Sequence, residues 1–466
     1  MGGQPFLYLS HKLLMKKILL SACLLLIGVY GMAQKKDKPA IASDGIKPIG
    51  IIKGLSDSAL LDVVQRQTFR YFWDFGHPKS GLARERSNVA FDYGNEVVTT
   101  GGSGFGIMAL IAADHRKFIT HDQAVNRMVK IVEFLYRADA YHGVFPHWLN
   151  GETGKTIRFG RKDDGGDLVE TAYLFEGLLC AKQYFKGTDP KERRIRDVIS
   201  WLWGEVEWSW YTREGRDNLY WHWSPNNGWA MNFPIRGFNE CLITYILAES
   251  ADRYPVSADI YDRGWAQSDF FKNGKTFYGY KLPLGFDYGG PLFFSQYSFM
   301  GLNPKGLKDK YADYWEQNVN HTLINRAYCI DNPKKFKGYG ENCWGLTASD
   351  NYEGYNAHSP TNDLGVISPT AALSAFPYTP EYSMKALRHF YYDLGDKIWG
   401  EYGFTDAFSE SKNWYGKSYL AIDQGPIVVM IENHRSGLLW NLFMSCPEIQ
   451  RGLKKLDFQS PALSKN

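Results

Sequence analysis

Apolar residues recur along this chain in two kinds of segment. In residues 58–75, SALLDVVQRQTFRYFWDF, they return every three or four positions with Gln, Arg and Asp between them, which predicts an amphipathic helix with one wet face. In residues 104–113, GFGIMALIAA, they are nearly continuous, which predicts a helix buried on all sides. The two kinds alternate: 122–138 is charged, 167–185 mostly apolar, 190–208 charged and 237–251 apolar. The second half keeps the order less regularly, with 258–267 polar, 293–300 apolar, 307–328 charged, 366–376 small and apolar, 380–399 charged and 422–444 mostly apolar. About twelve helices, alternately outer and inner, predict an all-α fold closed as a double ring, an (α/α)6 barrel. A solenoid would need a repeated unit and a coiled coil sustained heptads; the sequence has neither.

This architecture predicts where function sits. If successive helices run antiparallel, every inner helix begins at one mouth of the barrel, and the loops entering them converge there. Those loops are 97–104, 161–167, 221–240, 285–291, 344–363 and 404–423, and they hold most of the Gly, Trp, Asn and acidic residues without an evident core role. Long loops displayed by a rigid scaffold are where binding and catalysis concentrate.

The loop RKDDGGD and the residues after it gather Asp163, Asp164, Asp167 and Glu170 at the start of an apolar helix. Like charges crowded at such a place push one another toward the protonated form, so acid/base chemistry is the first expectation. A structural reading stands beside it: Asp167 and Glu170 form a near capping box, Asp167 accepting from backbone N–H groups and Glu170 reaching back. The helix N-terminus would also keep Asp167 ionised. Glu240, at the start of the sixth predicted helix and one hairpin further round, returns to the same mouth. The literal DDxxD string does not suit magnesium diphosphate, because the glycine pair breaks the helical face that such chemistry needs. A calcium site in this loop is left open, and no resident metal or cofactor is expected.

Composition narrows the ligand. A net charge of +3 with 22% charged residues and no long basic block argues against nucleic acid and for a neutral ligand. Aromatic residues make up 16% of the chain, and many fall in the loops. Ring faces mixed with hydrogen-bonding groups suit sugars. The candidate binding residues are Arg161, Trp221, Trp223, Trp229, Arg236, Trp344, Asp350, Tyr355, His358, Trp414 and Tyr419. No Ser-His-Asp arrangement, phosphate loop or HExxH motif is present. Beyond Cys23, five cysteines at irregular spacing form neither a disulfide framework nor a zinc pattern.

Residues 1–34 read as a signal peptide whose true start is Met15, with 35–56 a tether and 57–466 a single catalytic barrel. Lipid attachment at Cys23 is the alternative, disfavoured by the short apolar run before it.

The runs YFWDFGHPKSGLARERS (71–87), RKDDGGDLVETAYLFEGLL (161–179), WAMNFPIRGFNEC (229–241), GLTASDNYEGY (345–355) and DQGPIVVMIENHRSGLLW (423–440) resemble the bacterial glucoamylase-like (glycoamylase) family, whose characterised branch is the family 144 β-1,2-glucanases. The resemblance covers roughly 57–457 and implies the barrel, periplasmic location, and cofactor-free hydrolysis of β-1,2-glucan or its oligosaccharides; a monomer that does not span the membrane is expected besides. The acidic positions implicated in that family match Asp163, Asp167, Glu170 and Glu240. Glu240 is then the expected proton donor, Asp163 or Asp167 the activator of water and Glu170 their tuner, with inversion favoured. The alternatives are a periplasmic glucan-binding protein without chemistry, and an exo-acting glucosidase on α-glucan.

Overall fold

The computed structural model describes residues 46–87 and 94–463. The leader, the first half of the tether, residues 88–93 and the C-terminal tripeptide lie outside the described residues. Helices α1 (Asp57–Trp73), α2 (Thr100–His115), α3 (His121–Leu135), α4 (Leu168–Tyr184), α5 (Pro190–Glu205) and α6 (Leu242–Ser250) follow the predicted alternation. α2 is buried along nearly its whole length and α4 for most of its length, whereas α3 and α5 bury one face. Sequence sets each start: Thr120 and Gln123 form a capping box for α3, and Asp189 caps α5 with Pro190 in its first turn.

The inner ring closes. α2 packs on α4, α4 on α6, and α6 on a 3₁₀ turn at Tyr297–Phe299. Gln296 Nε2 in the adjoining turn donates to the Ala371 carbonyl (2.9 Å) of α8 (Pro369–Leu373), which packs on α10 (Ala421–Arg435), and α10 returns to α2. α1 covers the seam between α2 and α10 from outside. The α2–α4 crossing is the tightest contact, and two glycines permit it. A Cβ on Gly104 would collide with the Tyr173 carbonyl, and one on Gly177 with the Gly104 carbonyl.

The second half departs from the expected lengths. Segment 293–300 forms two 3₁₀ turns, Leu292–Ser295 and Tyr297–Phe299, and its polar side chains bond to neighbouring elements. Ser295 Oγ pairs with His321 Nδ1 (2.7 Å) and Ser298 Oγ donates to the Glu240 carbonyl. Segment 258–267 shrinks to a π turn at Tyr261–Trp265. Residues 307–328 begin as a loop, and the helix α7 runs from Tyr314 to Asp331. Segment 380–399 is α9 (Pro380–Arg388), a π turn at His389–Asp393 and a four-residue turn, Gly395–Ile398. Segment 422–444 breaks at Gly437 into α10 and α11 (Leu438–Met444), and α12 (Pro447–Lys455), which the sequence reading stopped short of, packs on α6.

The described part of the expected tether lies against the barrel. Ile46 N donates to Asp74 Oδ1 (3.2 Å), Arg70 Nε donates to the Ile46 carbonyl (2.8 Å), Ile52 N donates to the Tyr391 hydroxyl (2.9 Å) and Trp399 Nε1 donates to the Ile49 carbonyl (3.1 Å). Residues 46–55 therefore strap the first outer helix to the segment after α9. Among the described residues no helix is long and apolar enough to cross a membrane.

Candidate active site

The mouth is built first around the N-terminus of α4. Asp167 caps it: Oδ1 accepts from Val169 N (3.1 Å) and Glu170 N (2.9 Å), and Oδ2 from His147 Nδ1 (3.0 Å). Glu170 does not reach back to complete a capping box. Its Oε2 instead accepts from Gly101 N (2.8 Å) at the start of α2, where a Cβ on Gly101 would crowd it. The Gly165–Gly166 pair has a similar cause, since a Cβ at either would strike the Trp223 carbonyl or the Tyr211 hydroxyl. Gly166–Asp167 pairs antiparallel with His222–Trp223, which brings His222 Nε2 to Asp163 Oδ1 (3.0 Å). Asp164 turns the other way, accepting from Ser224 Oγ, Asn226 Nδ2 (2.9 Å) and Asn227 Nδ2 (3.0 Å). Burial alone would raise its pKa, but these hydrogen bonds hold it below the usual range, so Asp164 fastens the loop.

Glu240 stands two residues before α6. Its carbonyl accepts from Ser298 Oγ and from the Tyr173 hydroxyl (3.3 Å), while its Oε2 is buried with no partner. Burial, with the charge of Glu170 adding to it, pushes Glu240 up to about 7. Burial pushes Glu170 to about 7 as well, with His147 opposing and Asp167 and Asp163 reinforcing the rise. For His147, burial would favour the neutral ring, yet Glu170 and Asp167 overcome it and lift it to about 10. The ring stacks on Phe159 with centroids 3.9 Å apart. Donor atoms of His147, Asp163 and Asp167 lie within 4.8 Å of one another, a spacing that a cation could use. A protonated His147 already supplies the positive charge there, and its Nδ1 is committed to Asp167. The site can thus hold a neutral carboxylic acid beside the protonated ring of His147 near neutral pH.

A second acidic group faces the same mouth. Arg86, buried, spans both carboxylate oxygens of Asp350 through Nη1 (3.0 Å each) and meets Glu85 Oε2 through Nε (2.9 Å). Asp350 N donates to Asp406 Oδ2 (2.6 Å). Asp406 Oδ1 and both oxygens of Asp423 are buried without a donor, and a single proton shared between the two carboxyls satisfies one oxygen of each. Burial and repulsion from Asp423 and Asp350 push Asp406 well up, and burial lifts Asp423 to about 7. Tyr297 lies between the two groups, its hydroxyl pushed well up by burial, by Asp423, Tyr355 and Asp406 on one side and by Glu170 on the other.

Comparison with known proteins gives the family. Residues 232–447 match the Glycoamylase family profile ("Putative glucoamylase"), and residues 64–168 match a family of unknown function, DUF3131. A solved structure of a protein of that first description from Bacteroides uniformis is 61% identical, with a TM-score of 0.87 over 89% of this chain and 100% of its own. The endo-β-1,2-glucanase of Chitinophaga pinensis, solved with sophorotriose and glucose, is 57% identical, with a TM-score of 0.86 over 88% of this chain and 100% of its own. The chain belongs to the glucoamylase-like glycoside hydrolase family. A curated relative, an exo-β-1,2-glucooligosaccharide sophorohydrolase (non-reducing end) of Parabacteroides distasonis, is 47% identical over 86% of this chain, which spans 58% of that protein's length.

Within this glucoamylase-like chain the predicted binding residues divide. Trp221, Trp223, Trp229, Tyr355 and Trp414 are half-buried in the mouth loops, and Arg161 and Arg236 are exposed. Three others are core: Trp344 and His358 have 0% exposure and Tyr419 7%, so none presents a face to a ligand. Burial pushes His358 down to about 4, a neutral ring. Tyr419 packs edge-on against Tyr402. Asp350 is spent on Arg86. The sequence reading passed over Glu85, Arg86 and Asp406. Glu85 and Arg86 precede the loops entering the inner helices, and Asp406 is one of several polar residues in a long loop, so the pattern alone does not single them out.

A cavity of about 640 Å³ at the far end, lined by Arg116, Arg388, His434 and Arg435 near helix C-termini, is a weaker candidate. Its arginines are already paired with Glu432, Asp57 and Asp62.

Proposed function

We propose that this protein hydrolyses β-1,2-linked glucan at the mouth formed by α2, α4 and α6, with Glu240 as proton donor. The observation that carries this reading is the partnerless, buried Oε2 of Glu240, held protonated up to about pH 7 beside the Asp163–Asp167–Glu170 group. A donor needs a proton at working pH and a reason to give it up as the leaving oxygen gains charge. Asp163 fits the base better than Asp167. Its carboxylate keeps 10% exposure and pairs with His222 through Oδ1, whereas Asp167 spends both oxygens on the helix cap and His147. Glu170 and the protonated His147 set the field that separates the two roles. Inversion is the expected outcome, readable from the anomer released in an NMR time course.

Endo attack is favoured over exo. The chain matches the Chitinophaga endo-β-1,2-glucanase along the whole of that protein at 57% identity, and the sophorohydrolase of Parabacteroides at 47%. Export is part of the same proposal, resting on the leader pattern and on a polymeric substrate found outside the cytoplasm.

The decisive experiment is a product profile on linear β-1,2-glucan, with starch and laminarin as controls. A ladder of β-1,2-oligosaccharides supports the reading. Sophorose as the sole early product would replace endo with exo action, and oligosaccharide binding without new reducing ends would replace the enzyme with a binding protein. Glu240→Gln should lower the rate by about 10²–10⁴-fold, and a variant at wild-type rate removes Glu240 from the mechanism.

A further inference from the structure

Outside the acidic groups of the mouth, three residues of different chemistry meet where no step of the hydrolysis uses them. Cys343, His389 and Glu410 place a sulfur, a ring nitrogen and a carboxylate oxygen within 4.8 Å of one another. They come from three separated segments: the bridge Gly340–Cys343, the π turn after α9, and the turn of the hairpin that pairs Phe408–Ser409 with Trp414–Tyr415. Sulfur, imidazole and carboxylate together are the donor set of borderline-soft divalent cations.

The surroundings read as a prepared site. Cys343 is buried with a free thiol. His389 Nδ1 is held by Asp393 Oδ2 at 2.8 Å, which fixes the ring and leaves Nε2 as the donor atom, the carboxylate–histidine arrangement that orients metal ligands. Gly338 lets the Glu410 carboxylate lie against the backbone where a Cβ would collide with it. Lys397, whose charge acts on Glu410, is directed to the Tyr415 hydroxyl (3.2 Å). Burial, with Cys329 and Glu410 adding to it, keeps the Cys343 thiol protonated, a condition that a bound cation reverses.

We infer that Cys343, His389 and Glu410 bind one zinc-like divalent cation, with water in the fourth position, which pins the hairpin carrying Trp414 to the barrel wall. Ligand atoms around a four-coordinate zinc lie about 3.3–3.6 Å apart, so the three donor atoms, now within 4.8 Å of one another, draw together on binding. On binding, the Cys343 thiol loses its proton to solvent and no other bond changes. None of its three residues belongs to the acidic group proposed for hydrolysis, so its failure leaves that proposal standing.

The test uses the full chain stripped with chelator and titrated with Co²⁺, then Zn²⁺. One equivalent of Co²⁺ should give a thiolate-to-cobalt charge-transfer absorption that Zn²⁺ abolishes, and Zn²⁺ should raise the melting temperature. Cys343→Ser should lose the absorption, and Glu410→Gln, on the more exposed side, should weaken Zn²⁺ at least tenfold while glucan hydrolysis in saturating substrate stays unchanged. Asp393→Asn should weaken it less. Cobalt bound without a thiolate band, millimolar affinity unchanged in Glu410→Gln, or recovery of Cys343 in a disulfide with Cys329 would each overturn the inference.

Discussion

Glu170 and Glu240 reach the same pKa of about 7 in different ways, and the difference is measurable. Burial dominates both, but Glu170 also answers to His147, Asp167 and Asp163, whereas Glu240 feels chiefly Glu170. The donor works protonated, so turnover should fall as pH rises through about 7. Removing the Glu170 charge eases ionisation of Glu240. Glu170→Gln should therefore move the alkaline limb of the kcat/KM profile to lower pH, and a limb left in place would detach the profile from Glu240. The Asp406–Asp423 pair makes a stability prediction of defined sign. Asp423 has its folded pKa raised to about 7, so its favourable contribution is complete below the unfolded value, about 4, and is lost as pH rises through 7. Asp423→Asn should melt above wild type at pH 8, with the gap closing toward pH 4 in a series of thermal scans.

Single elements show why some of the fold could be read and some not. Helices α1 to α6 announce themselves because their burial is set by one face or by all faces, and period alone distinguishes the two. The fourth inner element does not, because Ser295, Gln296 and Ser298 bond His321, the Ala371 carbonyl and the Glu240 carbonyl, replacing helical geometry with 3₁₀ turns. Within the α2–α4 pair, glycines mark backbone contact. Gly104→Ala forces Tyr173 and α4 outward and should cost about 1–3 kcal/mol, read as a lower denaturation midpoint with unchanged slope. It should also lower the rate, because α2 carries the Gly101 amide that holds Glu170.

At the scale of the whole molecule, convergence of loops on one mouth was legible from the alternation, and the four acidic candidates do gather there. The orientation of individual rings was not. Trp344 and His358 share a loop with Tyr355, yet the hairpin of Ala348–Asn351 with Gly354–Ala357 turns some side chains inward and others out, and composition carries no record of that. The strap of residues 46–55 likewise read as a tether because its contacts are backbone groups meeting Tyr391, Asp74 and Trp399 from distant parts of the chain. A chain beginning at residue 56 should melt several degrees lower while keeping its activity on glucan at 25 °C.

The seam where α1 and α2 meet α10 gives the protein an unusual order of assembly. Gln65 Nε2 donates to the Val428 carbonyl (3.1 Å), and Arg116 clasps Glu432 through Nε (2.6 Å), so the earliest helices find their partners only near the end of the chain. Until α10 is synthesised, the apolar side of α2 has no neighbour on that flank, and closing so long a loop is intrinsically slow. Copies cut short before residue 421 would be sticky substrates for chaperones and proteases, never smaller working enzymes.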